Sequence, residues 1–221
     1  MKVILFGASG MVGSGVLREC LADPSVVRVL CVGRHPLGRT DPKLAEITVP
    51  DLTDLVPVAD ALRGYDAGFF CLGVSSAGLS EADYRRVTHD LTLSVARTLA
   101  PLNPGMTFVY VSGAGTDSTE RKGRMWARVK GETENDLLRL PFRAAYMFRP
   151  GVIQARHGIR SRTRVYRILY AILFPFVALV GLVAPNSITS TDRLGRAMIH
   201  VVERGAPQPW LGTREINRLA A

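Results

Sequence analysis

An α/β fold with a doubly wound, mostly parallel sheet in a single domain is what this sequence predicts, and three observations carry the prediction. Short apolar runs rich in β-branched and aromatic residues alternate with longer stretches of helical periodicity. The first such run breaks at glycines spaced Gly7, Gly10, Gly13 and passes directly into a helical pattern. A later run, 67–72, is almost continuously apolar, as a strand covered on both faces has to be. The 221 residues are enough for one domain with a real core, and a second full domain would not fit, so 1–221 is read as one unit.

The first strand starts at residue 2 and ends at Gly7, where the chain needs a tight turn. Gly10 removes a side chain so that backbone can approach a pyrophosphate, and Gly13 lets the following helix, about 11–21, pack close to the strand. Free N–H groups and the positive dipole end at the start of that helix, around Met11 and Val12, bind anions, and Ser9 adds a hydroxyl donor. The spacing is Gly-x-x-Gly-x-x-Gly and glycines alone are weak evidence. The strand before them, the helix after them and a second apolar run at 26–32 supply the context of a βαβ unit.

The second strand runs out at Gly33 into Arg34, where a site for NAD(H) usually places an acidic residue against the ribose hydroxyls. A guanidinium pairs with a 2′-phosphate and stacks on adenine, so NADP(H) is favoured over NAD(H); Arg39 either helps or is a surface charge. A third strand, 45–49, leads to Asp51 and Leu52. Two readings of Asp51 stand: it accepts from the adenine amino group, or it or Thr53 caps a helix running to Arg63. The strand at 67–72 ends in Leu72 and Gly73, the start of a small-residue loop placed to lie along the cofactor. A helix over about 80–100 follows, opened by Ser80 with Asp83 and stopped by Pro101 and Pro104. The fifth strand, 106–111, delivers Ser112; the next helix carries Trp126 and Lys130. The sixth strand, 144–148, ends in Arg149, Pro150, Gly151 and Val152.

These pieces in this order resemble the short-chain dehydrogenase/reductase superfamily, and within it the atypical branch of NAD(P)-binding, epimerase-like proteins and the Tat-interacting oxidoreductase type. The resemblance covers roughly residues 1–152, with a fainter echo at 191–198, and implies a Rossmann-type domain. It implies hydride transfer between nicotinamide and a small or hydrophobic carbonyl or alcohol, with Gly7, Ser9, Gly10, Met11, Val12, Gly13, Arg34, Asp51, Leu52, Leu72, Gly73, Lys130, Pro150, Gly151 and Val152 around the cofactor. In the family a Ser polarises the carbonyl, a Tyr moves the proton, and a Lys four residues after the Tyr binds the nicotinamide ribose and lowers the Tyr pKa. Ser112 matches the first position and Lys130 the third, but Trp126 stands where the Tyr belongs, and an indole N–H does not ionise in this range. Three explanations stay open: another acid such as Tyr84, Tyr110, Tyr146 or a Lys130-bound water; a reaction needing little acid help; or a catalytically silent NADP(H)-binding regulator or sensor working through protein partners or a membrane surface.

Composition bounds the rest. The chain is 47% hydrophobic and 21% charged with a net charge of +9, mostly from arginines scattered along it. No aromatic and basic interleaving accompanies them, so an Arg-rich surface and an anionic cofactor are expected in place of nucleic acid. Cys20, Cys31 and Cys71 lack metal-ligand spacing and read as buried thiols, and with no secretory signal the expected location is cytoplasmic. His157 and His200 have no neighbours at ligand spacing. Residues 153–190 are expected to close over the substrate. Within them arginines at 156–167 precede a mostly apolar run, 168–184, which reads as a lid or homodimer surface, or as a peripheral membrane contact.

Overall fold

The computed structural model describes residues 1–156 and 188–221. Its first half alternates strand and helix: β1 (Lys2–Phe6), α1 (Met11–Ala22), β2 (Arg28–Gly33), β3 (Leu44–Thr48) and, after a 3-10 helix at Val56–Leu62, β4 (Ala67–Phe70). There follow α2 (Glu81–Arg85), a π turn (Arg86–Asp90), α3 (Leu91–Leu102), β5 (Thr107–Val111), α4 (Met125–Leu138), β6 (Ala144–Arg149) and β7 (Val152–Gln154). The remaining elements are β8 (Ile188–Ser190), α5 (Thr191–Arg204), β9 (Trp210–Gly212) and α6 (Thr213–Leu219).

Seven of these strands form one sheet in the order β3-β2-β1-β4-β5-β6-β9, with every neighbouring pair parallel. Side chains alternate across a strand, so β1 sends Val3 and Leu5 to one side and Ile4 and Phe6 to the other, all fully buried. The first side meets Val16, Leu17 and Cys20 of α1 and Leu194, Met198 and Val201 of α5. The second meets Leu93 and Leu99 of α3 and Leu137 of α4. Both faces of the sheet are therefore covered, which is why its strands read as unbroken apolar runs.

Several expectations change in detail. The helix expected over 80–100 opens as foreseen, with the Ser80 hydroxyl accepting from the Asp83 amide at 3.1 Å, but it contains the π turn and continues to Leu102 with Pro101 inside its last turn. Its end is made by Asn103. That buried side chain accepts from the Tyr65 amide (2.9 Å) and donates to the carbonyls of Leu62 (2.9 Å) and Leu99 (3.2 Å), tying α3 to the entry of β4. Asn103→Leu would leave those buried groups unpaired and is expected to lower unfolding free energy by about 2–3 kcal/mol in a urea titration. Neither Asp51 nor Thr53 caps a helix. The Asp51 carboxylate accepts from the amide and hydroxyl of Thr53, both at 2.8 Å, and the 3-10 helix begins five residues after Asp51. At the edge of the sheet β9 pairs with β6, and β7 pairs with β8 in a separate two-stranded sheet. Ser190 caps α5 through the Arg193 amide, and Gly205 ends it with φ of 75°.

Candidate functional site

Strand order reverses between β1 and β4, and in an open parallel sheet the ligand crevice lies outside the carboxyl ends of the strands at that point. The two chain segments leaving there are Gly7 and Cys71–Gly73, packed so tightly that a Cβ on Gly7 would lie 2.8 Å from the Cys71 carbonyl carbon and the Leu72 nitrogen. Gly7 also has φ of +83°. The amide of Gly10 donates to the Gly7 carbonyl at 2.9 Å, and a Cβ on Gly13 would come within 2.1 Å of the same oxygen. Among the described residues no side chain caps α1, whose N-cap is Gly10, so its first-turn amides are left to what fills the crevice.

Two adjoining cavities share Leu72. A smaller one of about 110 Å³ is lined by Gly7, Ser9, Arg34, Leu52 and Leu72, together with His35, Leu37 and Glu46. A larger one of about 700 Å³ is lined by Gly10, Met11, Val12, Leu72, Gly73, Ser112, Trp126, Lys130, Pro150 and Gly151. Gly13 supports the loop from beneath. Asp51 is exposed with its carboxyl held below the usual carboxylate range by the Thr53 backbone and side-chain hydrogen bonds, and it lines neither cavity. Val152 and Arg39 also lie outside both linings.

At the larger cavity Ser112 and Lys130 come together, with a difference from the expected chemistry. The Ser112 hydroxyl donates to Glu134 Oε1 at 2.5 Å and lies 3.2 Å from the Phe148 carbonyl, so its one proton is committed to protein. Glu134 is fully buried and accepts from Arg149 Nε at 3.1 Å with both oxygens, and from Arg149 Nη2; the same Nη2 reaches Ser118 Oγ at 2.5 Å. Lys130 donates to the Ser112 carbonyl and lies 5.8 Å above the Tyr110 ring. Burial lowers the Lys130 ammonium pKa to about 8, against a smaller upward pull from Glu134.

Trp126 opens the first turn of α4, and its ring would meet a Cβ on Gly115 at 3.5 Å. The three tyrosines considered as substitute acids stand elsewhere. Tyr84 and Tyr110 are in the core, with burial pushing the Tyr110 hydroxyl upward, and Tyr146 accepts from the Ala206 amide at 3.0 Å. Burial raises the Cys20 and Cys71 thiols and pushes Cys31 up to about 12. His200 is partly buried on α5, while His157 and the 168–184 run fall outside the described residues. Among the described residues no helix is long and apolar enough to cross a membrane.

Glu134, Arg149 as its partner, and Glu46, which accepts from the Leu37 amide at 2.8 Å beside the smaller cavity, were not foreseen as site residues. Glu134 follows Lys130 by four residues and so shares its helix face, which is the one signal that could have found it. A ring of charge also joins α4 to the π turn: His89 contacts Asp90 (2.8 Å) and Asp136 (2.9 Å), and Arg85 pairs with Glu132. These contacts fasten the helix that presents Lys130.

No family model matches the chain. It is similar to Protein HTATIP2 of Rattus norvegicus, 31% identical over 154 residues, or 69% of this chain and 62% of that one; it thus spans less than two thirds of that relative. It is also similar to the mitochondrial protein fmp52-1 of Aspergillus terreus, 31% identical over 169 residues, 74% of this chain and 70% of that one. Among solved structures, MoeE5 in complex with UDP-glucose and NAD superposes with a TM-score of 0.69 at 19% identity, over 96% of this chain and 75% of that one. The expected cytoplasmic location is overturned by the fmp52 relatives, which are mitochondrial by name. The buried thiols behind that expectation persist in any reducing compartment.

Proposed function

Because this chain belongs to the atypical short-chain dehydrogenase/reductase superfamily, in its NAD(P)-binding, epimerase-like branch, we propose that it binds a nicotinamide dinucleotide across the two cavities and transfers hydride to or from a small or hydrophobic carbonyl or alcohol. One observation carries the reading: the uncapped start of α1, the switch point and Lys130 all face one continuous crevice. The residues present fit the group. The glycine turn leaves backbone bare where a pyrophosphate would bind α1, and Lys130 stands at the far end, where it would hold the nicotinamide ribose. When bound, the dinucleotide supplies or accepts the hydride.

NADP(H) is the preferred form in this proposal, because Arg34, the residue after β2, lines the smaller cavity and can pair with a 2′-phosphate. Fluorescence titration is expected to give tighter binding of NADPH than NADH, and Arg34→Asp is expected to weaken NADPH by about tenfold to a hundredfold while sparing NADH. Equal affinities in the unmutated chain would remove the preference; binding of neither would remove the function. Trp126 supports a second reading, a dinucleotide-dependent regulator without turnover, which predicts tight NADPH binding together with no oxidation of NADPH by any of a panel of aldehydes and ketones.

A further inference from the structure

We infer that Lys130 itself, with no intervening tyrosine, exchanges the proton with the substrate oxygen; the inference rests on the oxidoreductase reading of this crevice. Among the described residues, the side chains lining the larger cavity that carry a proton on N, O or S are Cys71, Ser75, Ser112, Trp126 and Lys130. The Ser112 proton is given to Glu134. The Trp126 indole does not ionise in this range, and a serine hydroxyl such as Ser75 can relay a proton but not supply one. Burial raises the Cys71 thiol, which holds its proton at neutral pH. Tyr84, Tyr110 and Tyr146 line neither cavity.

Lys130 remains. An ammonium has three N–H bonds; one is taken by the Ser112 carbonyl, which anchors Nζ at the end of β5 and leaves two for the cavity. The charged and titratable groups around it are Glu134 on its own helix, Tyr110 on β5 with Tyr84 beside it, Cys71 at the end of β4, and Arg149 on β6 through Glu134. Burial, against a smaller upward pull from Glu134, leaves the amine titrating at about 8, close to where a general acid and base works best.

The step balances without a further reagent. A reduced nicotinamide dinucleotide in the crevice would supply hydride, with its electron pair, to the carbonyl carbon. As the carbonyl π pair moves onto oxygen, one Nζ–H bond breaks and an O–H bond forms. Its electron pair stays on Nζ as a neutral amine, which water reprotonates. In the oxidation direction the neutral amine takes the hydroxyl proton as hydride leaves. Reduction therefore needs protonated Lys130 and fades above its pKa, whereas oxidation needs the free amine and rises through the same pH.

The chain has four lysines, Lys2, Lys43, Lys122 and Lys130, so their titration can be followed one by one by heteronuclear NMR of the labelled, dinucleotide-free protein. The resonance missing from Lys130→Arg is expected to titrate near pH 8. With NADPH and 4-nitrobenzaldehyde, the wild-type rate is expected to fall above that pH. Lys130→Arg keeps a cation but holds its proton, and is expected to lose about a hundredfold or more in kcat measured at saturating NADPH. Should the arginine fail to fold, the opposed pH profiles of wild-type reduction and oxidation carry the comparison. A Lys130 titration midpoint well above pH 8, retained kcat in the arginine variant, or NADPH binding without turnover overturns the inference while leaving dinucleotide binding intact. Failure of the wild type to bind NADPH or NADH instead removes the oxidoreductase reading, and the inference with it.

Discussion

Glu134→Ala is expected to lower the unfolding free energy by about 3–5 kcal/mol, the usual consequence of stranding one partner of a buried ion pair. The carboxylate is fully buried and carries three dependants: the Ser112 hydroxyl, the Arg149 guanidinium and, through Arg149, the Ser118 hydroxyl. Its loss leaves Arg149, whose side chain is only 22% exposed, facing a cavity. Ser112 and Ser118 bracket the start of the segment between β5 and α4, so the damage extends beyond stability. That segment packs on α4 through the Asp117 amide, which donates to the Ala127 carbonyl at 3.0 Å, one residue from Trp126. Urea denaturation checks the magnitude, and a double replacement, Glu134→Leu with Arg149→Met, is expected to recover much of the loss because neither charge is then stranded. A single-variant loss under about 1 kcal/mol would mean that water already reaches the pair and carries its charges.

How far the sequence could be read follows from the range of the forces involved. The β1 turn and the start of α1 depend on residues within about a dozen positions, and there the glycine spacing and the apolar run agreed with the folded arrangement. The doubly wound, mostly parallel sheet followed from the alternation of apolar runs with helical stretches, whereas its strand order came only with the structure. What stayed hidden depends on contacts between residues far apart in the chain. Ser112 sits at the expected strand end, yet the direction of its hydroxyl is decided by Glu134, 22 residues away on a neighbouring helix. A glutamate in a helix of mixed polarity reads as a solvated residue, and only the arginine at the end of β6 explains its burial. The π turn and the β7–β8 pair likewise leave no periodic trace, because each is made by tertiary contacts in short segments.

Gly13→Ala tests the loop on which dinucleotide binding depends, and is expected to abolish detectable binding while lowering stability by about 1–3 kcal/mol. The added methyl would stand 2.1 Å from the Gly7 oxygen, 2.6 Å from the Gly7 carbonyl carbon and 3.0 Å from the Ala8 nitrogen. All three atoms are backbone, so no side chain can swing aside. Relief must come from moving α1 away from β1 or from opening the Gly7 turn. Neither movement is free. On its outer side α1 is pressed against α5, where a Cβ on Gly15 would already lie 2.4 Å from the Thr191 Cβ, and Gly7 is held against Cys71 and Leu72. The strain therefore falls on the first turn of α1, whose uncapped amides are the proposed pyrophosphate contact. Isothermal titration with NADPH alongside a urea melt separates the two effects. Binding retained within threefold, with a melt like that of the wild type, would show that this turn yields more easily than its backbone contacts imply, and would remove the α1 amides from the binding account.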